Sequence, residues 1–234
     1  MKLPTSPQEK IIIALDVSSI GEALRILDAF ETPPSLCKIG LELFTAEGPA
    51  VVKAVKERGS SVFLDLKFHD IPNTVARAVA SARDLGVAMT TLHASGGPAM
   101  LEAAVKAVGE SDLLLLAVTV LTSMDASQLS ATGISVNPET HVLRLSSIAR
   151  EAGIGGIVCS PLEISSIRRI HGNHIRVVTP GVRPTWSDKG DQKRVMTPAE
   201  AIRAGADWLV LGRPITAAND PKQAFDKIIS EVVD

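Results

Sequence analysis

The sequence predicts a single-domain α/β protein, a (β/α)8 TIM barrel spanning residues 1–234. Three observations carry this prediction. Eight short runs of aliphatic or β-branched residues recur with room for one helix after each, the spacing of βα units around a parallel sheet. Hydrophobic residues make up 45% of the chain but aromatics only 3%, with no tyrosine, so the core must be built from Ile, Leu, Val and Ala, as in strands buried on both faces. An open doubly wound sheet, the other arrangement of such units, would place a glycine-rich nucleotide loop after an early strand, and none is present. The length, 234 residues, is one at which α/β barrels fold as one domain. No linker of biased composition divides the chain.

The start, Met1 to Lys10, carries three charged side chains and two prolines. It lacks the central apolar run of a signal peptide, so export is not expected. The first strand is read at Ile11–Asp16, followed by an amphipathic helix at Ile20–Phe30. A strand at Leu36–Gly40 leads to a helix at Ala46–Arg58, with Thr45 as its cap. Next come Ser61–Lys67 with Asn73–Leu85, then Ala88–Ala94 with Pro98–Val108. Leu113–Leu121 is the longest apolar stretch. At nine residues, Thr119 among them, it reads as a buried strand and falls far short of the roughly 20 needed to cross a membrane, so a soluble, cytoplasmic protein is expected. A helix at Pro138–Ala152, capped by Asn137, precedes Gly156–Ser160 and Leu162–Ile170. The last two units join Arg176–Gly181 to Pro198–Ala204 and Trp208–Arg213 to Pro221–Val233. Thr197 and Asp220 stand before these helices as caps, and a proline in a first turn gives up an N–H that would have been unpaired there.

The one long connection, 182–197, is rich in charge and turn formers and is expected to be a lid or binding loop. A net charge of −2 offers no basic field for nucleic acid or an anionic membrane surface. Cys37 and Cys159 have no second sulfur or histidine at metal spacing, and are expected to be buried free thiols of a reducing compartment.

In such a barrel the active site forms at the C-terminal ends of the strands, and here those ends are polar. The first run ends in Asp16 and the second carries Lys38. The third ends in Asp65-Leu66-Lys67 and the fourth near His93. The fifth runs into Thr122-Ser123 and the eighth ends in Gly212-Arg213. Strict alternation puts Asp65 and Lys67 on one face, toward the barrel axis, with Leu64 and Leu66 toward the helices. It also puts Asp16 at the end of the inward series Ile12, Ala14. Ionised groups this near one axis are costly unless alternately signed and paired, and Asp16, Lys38, Asp65 and Lys67 supply two of each sign. Asp70, just before Ile71-Pro72, is open to a second reading as the cap of the next helix. His69 and His93 read as hydrogen-bonded structural histidines.

A phosphate site is indicated separately by Gly181-Val182-Arg183-Pro184 and Gly212-Arg213-Pro214. Barrels often hold phosphate on the loops after strands seven and eight, with backbone N–H groups and a basic side chain. Gly212 lets the backbone approach an anion closely, and Arg183 and Arg213 offer planar forks.

The run Asp65-Leu66-Lys67-Phe68-His69-Asp70-Ile71-Pro72-Asn73-Thr74 resembles the DxKxxDIPNT signature of the orotidine 5′-phosphate decarboxylases of bacterial type. The likeness covers essentially the whole chain: Asp16 in Ala-Leu-Asp, Lys38 in Lys-Ile-Gly, Leu-Thr-Ser at 121–123, Gly181-Val182-Arg183-Pro184, Gln192 and Gly212-Arg213. It implies a cytoplasmic homodimeric lyase of de novo pyrimidine biosynthesis that uses no cofactor and no metal and converts orotidine 5′-phosphate to UMP. It further implies that Lys38, Asp65 and Lys67 form a charged network, joined by Asp70 from the partner subunit, with Lys67 protonating a C6 carbanion. Asp16 and Lys38 would hold the ribose hydroxyls, Thr122 with Ser123 the pyrimidine edge, and Arg183, Gln192 and Arg213 the phosphate. Asp65, Ile71, Thr74, Pro180 and Gly212 complete the implied substrate-binding set.

Two other readings stand beside it. A sugar-phosphate decarboxylase or aldolase of the same wider group also carries Asp-x-Lys-x-x-Asp but binds Mg²⁺, and EDTA sensitivity would separate it. A nucleotide-binding barrel without catalysis shares the fold, but the intact Lys67 between carboxylates weighs against it.

Overall fold

The computed structural model describes residues 1–187 and 195–233. Eight parallel strands close into a barrel in chain order: β1 (Ile11–Leu15), β2 (Leu36–Ile39), β3 (Ser61–Phe68), β4 (Met89–His93), β5 (Leu114–Val118), β6 (Gly156–Val158), β7 (Arg176–Thr179) and β8 (Trp208–Leu211), with β8 pairing β1. Parallel neighbours need crossovers, and helices supply them. These are α1 (Ile20–Asp28), α2 (Leu41–Glu47), α3 (Pro49–Glu57), α4 (Pro72–Asp84), α5 (Pro98–Val108), α6 (Ala126–Ala131), α7 (Pro138–Glu151), α8 (Ile164–His171), α9 (Pro198–Ala204), α10 (Arg213–Thr216) and α11 (Pro221–Val233).

Alternation along each strand divides the core in two. Ile12, Ala14, Leu36, Phe63, Met89, Leu116, Val178, Trp208 and Val210 point inward and fill the barrel. Ile11, Ile13, Leu15, Cys37, Ile39, Val62 and Leu64 point outward and pack under the helices against side chains such as Val51, Val55, Val79 and Ile167. Cys37 and Cys159 are buried and unbridged. Desolvation pushes the Cys37 thiol up to about 12, against a smaller opposing effect of the Ser60 hydroxyl, so it is inert near neutral pH. No helix among the described residues is long and apolar enough to cross a membrane.

Several expected boundaries are corrected. Most strands stop one to three residues before the apolar runs do, because the last residues leave the ladder to line the mouth. Thr45 is not a cap: it lies inside α2, and the stretch read as one helix from Ala46 is two helices broken at Gly48. Gly48 has φ 60°, a conformation that favours glycine, and Pro49 then starts α3 without needing a donor. Arg213 begins α10 rather than ending β8. Helix α6 was not anticipated, although its capping box joins Asp125 to Gln128. The caps at Asn137 and Thr197 form as expected, accepting from Thr140 N and Glu200 N, and Asp220 accepts from Gln223 N at 2.9 Å.

Candidate active site

The inward rows that fill the barrel end, toward the mouth, in charge. Beyond Ile12 and Ala14 comes Asp16, and beyond Leu36 comes Lys38; β3 carries Asp65 and Lys67 past Phe63. Lys38 Nζ donates to Asp16 Oδ1 at 2.8 Å and lies 3.7 Å from Asp65 Oδ2. Lys67 Nζ donates to the same Oδ2 at 2.8 Å. The four groups thus form one chain of alternating sign. Burial on its own would raise the Asp65 carboxyl, whose side chain is 13% exposed. Lys38, Lys67 and the hydrogen bonds from Lys67 and Thr91 outweigh that effect and hold it below the usual carboxylate range.

Asp65 and Lys67 meet, but not for the reason strict alternation supplies. The β3–β4 register shifts between Leu64, opposite Thr90, and Phe68, opposite Leu92, so three residues of β3 face Thr91 alone. Within this bulge Lys67 has φ 52°, the one positive φ outside glycine among the described residues. The backbone turn, rather than a two-residue repeat, brings its ammonium back over Asp65.

Asp70 is exposed, and its Oδ1 accepts from Ile71 N at 2.6 Å. It does not cap α4, whose N-cap is Ile71 with no side-chain bond. Among the described residues no ion pair joins Asp70 to Lys38 or Lys67 of its own chain. Ile71 is 67% exposed, and Thr74 is exposed in the first turn of α4. The His69 and His93 rings lie 5.3 Å apart and tilted. Burial first, then the nearby His69 and Lys67, lowers the His93 pKa against the pull of Asp65.

Across the mouth, Thr122 is half-buried and Ser123 exposed, while Pro180 and Arg183 are half-buried at the end of β7. Arg183 N–H donates to Met196 O at 2.9 Å, beside an isolated parallel bridge between Val182 and Met196. This bridge closes the root of the 182–197 connection; Gln192 lies outside the described residues. Gly212 is the N-cap of α10, and Arg213 is exposed at its first position.

Two residues of this mouth escaped the sequence reading. Thr91, fully buried, donates to Asp65 Oδ1 at 2.9 Å and accepts from Lys67 N at 2.8 Å. Its signal was weak, since a threonine in a strand is ordinary. At Gly40 a Cβ would stand 3.0 Å from Lys38 Nζ and 3.2 Å from Asp16 Oδ1, so glycine there leaves room for the ion pair.

Similarity to known proteins identifies the family. The model of the orotidine 5′-phosphate decarboxylase / HUMPS family matches residues 9–228. Two proteins named orotidine 5′-phosphate decarboxylase are similar over nearly their whole length. That of Moorella thermoacetica is 52% identical, covering 96% of this chain and 92% of its own. That of Haemophilus ducreyi is 54% identical, covering 95% and 98%. The crystal structure of the Lactobacillus acidophilus orotidine 5′-phosphate decarboxylase superposes with a TM-score of 0.84 at 36% identity, covering 96% of this chain and 99% of that one. With the alternating charge chain at the barrel mouth and the Asp65–Thr74 signature, these matches place the chain in the orotidine 5′-phosphate decarboxylase / HUMPS family.

Proposed function

We propose that this chain is a carboxy-lyase that converts orotidine 5′-phosphate to UMP and CO2 within pyrimidine biosynthesis, using its own side chains and no metal or organic cofactor. The observation that carries the proposal is the Lys67 ammonium, held 2.8 Å from the half-buried Asp65 carboxylate by a backbone turn outside the ordinary strand region. Loss of CO2 from C6 leaves an electron pair in the ring plane, where the π system stabilises it poorly, so the site must favour that charge over the substrate carboxylate. Lys67 attracts the charge as it develops and transfers a proton to C6, combining electrostatic stabilisation with general-acid catalysis. Asp65 stays ionised and keeps the ammonium oriented.

Asp16 and Lys38 bind the ribose hydroxyls, and Thr122 with Ser123 contacts the pyrimidine edge. Arg183, Gln192, Arg213 and the backbone at Gly212 hold the phosphate, with Pro180 beside it. Phosphate contacts draw the 182–197 connection over the site and keep water from the carbanion. Asp70 serves the site of a partner subunit, and Ile71 and Thr74 contact substrate. The exposure of Asp70, and the lack among the described residues of an ion pair from it to Lys38 or Lys67 of its own chain, support the partner-site assignment. The Mg²⁺-dependent alternative is less well supported, because both carboxylates of the cluster are engaged by ammonium groups. A spectroscopic assay with orotidine 5′-phosphate, with and without EDTA, tests the reading. Turnover insensitive to EDTA is expected, and absence of turnover by a folded protein would refute it.

A further inference from the structure

We infer that Thr91 is a positioning residue for Lys67, holding the backbone turn that aims the ammonium at the reacting carbon; the inference rests on the decarboxylase reading given above. A threonine hydroxyl has one proton to donate and lone pairs to accept with. Thr91 uses both on the two residues whose side chains pair, donating to Asp65 Oδ1 at 2.9 Å and accepting from Lys67 N at 2.8 Å.

The register explains why a side chain is needed. Three residues of β3 stand between Leu64 and Phe68 where β4 offers only Thr91 between Thr90 and Leu92. The regular ladder therefore does not supply a partner for the Lys67 amide, and the hydroxyl takes the place of a carbonyl. Lys67 pays for its left-handed backbone, φ 52°, and such a conformation persists only when its surroundings over-determine it. The neighbouring Thr90 makes the contrast clear: its hydroxyl donates to Leu64 O at 2.9 Å, an ordinary bond within the sheet. Thr91 instead joins the carboxylate and the amide of the two charged residues, at a position with no exposed surface. One hydroxyl thus ties the orientation of Asp65 to the backbone of Lys67.

The test compares Thr91→Val, which keeps the shape and loses the hydroxyl, with Thr91→Ser, which keeps the hydroxyl and loses the methyl. For Thr91→Val, kcat on orotidine 5′-phosphate should fall about a hundredfold while KM changes less than about threefold, because the ribose and phosphate contacts remain. Thr91→Ser should stay within about tenfold of wild type. In protein labelled with ¹⁵N-lysine, the Lys67 amide of Thr91→Val should exchange with solvent deuterium at least about tenfold faster than in wild type or Thr91→Ser. If Thr91→Val does not fold, Thr91→Cys, with its weak donor and acceptor, replaces it in both arms. Similar kcat losses in the serine and valine variants would make the effect one of packing and overturn the inference, as would an unchanged Lys67 exchange rate. An inactive wild type would instead remove the decarboxylase reading, and the exchange measurement would then decide the backbone role by itself.

Discussion

Asp65 carries its charge where burial opposes it, and two ammonium groups reverse the balance. A carboxyl whose pKa is lowered by folding contributes stability that is complete above its unfolded value, about 4, and is lost as the pH falls through the lower folded value. Asp65 is therefore ionised throughout the neutral and mildly acidic range. His93, lowered chiefly by desolvation, is neutral near pH 7. With saturating substrate, kcat should show no loss from protonation of Asp65 between about pH 8 and about pH 5. A tenfold fall in kcat by about pH 5.5, with the fold intact by circular dichroism and traced to Asp65 by its loss in Asp65→Asn, would give Asp65 a raised rather than a lowered pKa. Gly40 is a second residue-scale test. Its backbone, φ −94°, suits any residue, so Gly40→Ala should change the melting temperature by less than about 4 °C. The added methyl must push on Lys38 Nζ and Asp16 Oδ1, and kcat/KM should fall about tenfold; a change within about twofold would mean the pair yields without consequence.

The elements divide into those a periodic reading can reach and those it cannot. All eight strands were legible because their runs are short and aliphatic or β-branched, as strands packed on both faces require. The break at Gly48-Pro49 and the Asp125 to Gln128 box were also written in the sequence, and were passed over where a long helix and a loop sufficed. The bulge in β3 was not legible. It depends on a hydroxyl from β4, a tertiary contact that alternation within one strand does not encode. The 182–197 connection was read as a lid or binding loop, but the attachment of its first limb was not anticipated. Trp186, 44% exposed, donates from Nε1 to Glu231 Oε1 at 2.9 Å, and Lys227 Nζ stands 5.4 Å from its ring centroid. These contacts fasten the limb that carries Arg183 to α11. Trp186→Ala should raise KM about fivefold or more with less effect on kcat, since it loosens binding rather than chemistry. Equal kcat/KM in variant and wild type would remove that role. At the start of α10, Arg213→Ala should impair orotidine 5′-phosphate far more than orotidine, which has already lost the phosphate contact. Phosphite dianion should partly restore turnover of orotidine by the wild type. Equal losses on both substrates would put Arg213 outside the phosphate site.

At the scale of the whole molecule, exposed apolar side chains lie beside the charge chain at the barrel mouth. Leu41, Ile71 and Leu121, 54%, 67% and 37% exposed, all follow C-terminal strand ends, so the apolar surface lies on the face that bears the charges. A two-fold dimer through this face would cover it and would bring Asp70 of each chain toward the other's lysines, because an isologous interface repeats every contact twice. The arrangement can be tested without a structure of the dimer. Lys67→Ala and Asp70→Asn proteins, each expected to fold and to lose nearly all turnover, are unfolded together and refolded as an equal mixture. In a mixed dimer one site combines both lesions. The other takes Lys67 from the Asp70→Asn chain and Asp70 from the Lys67→Ala chain, so it is wild type in composition. Random pairing makes about half the dimers mixed, and about a quarter of all sites should recover if sites act independently. If Asp70 serves its own chain, every site in every dimer keeps a lesion and no activity returns. Turnover that stays at the level of the separate variants, with mixed dimers verified by native mass spectrometry, would therefore confine Asp70 to its own subunit, where its carboxylate reaches the Ile71 amide and neither lysine of the cluster.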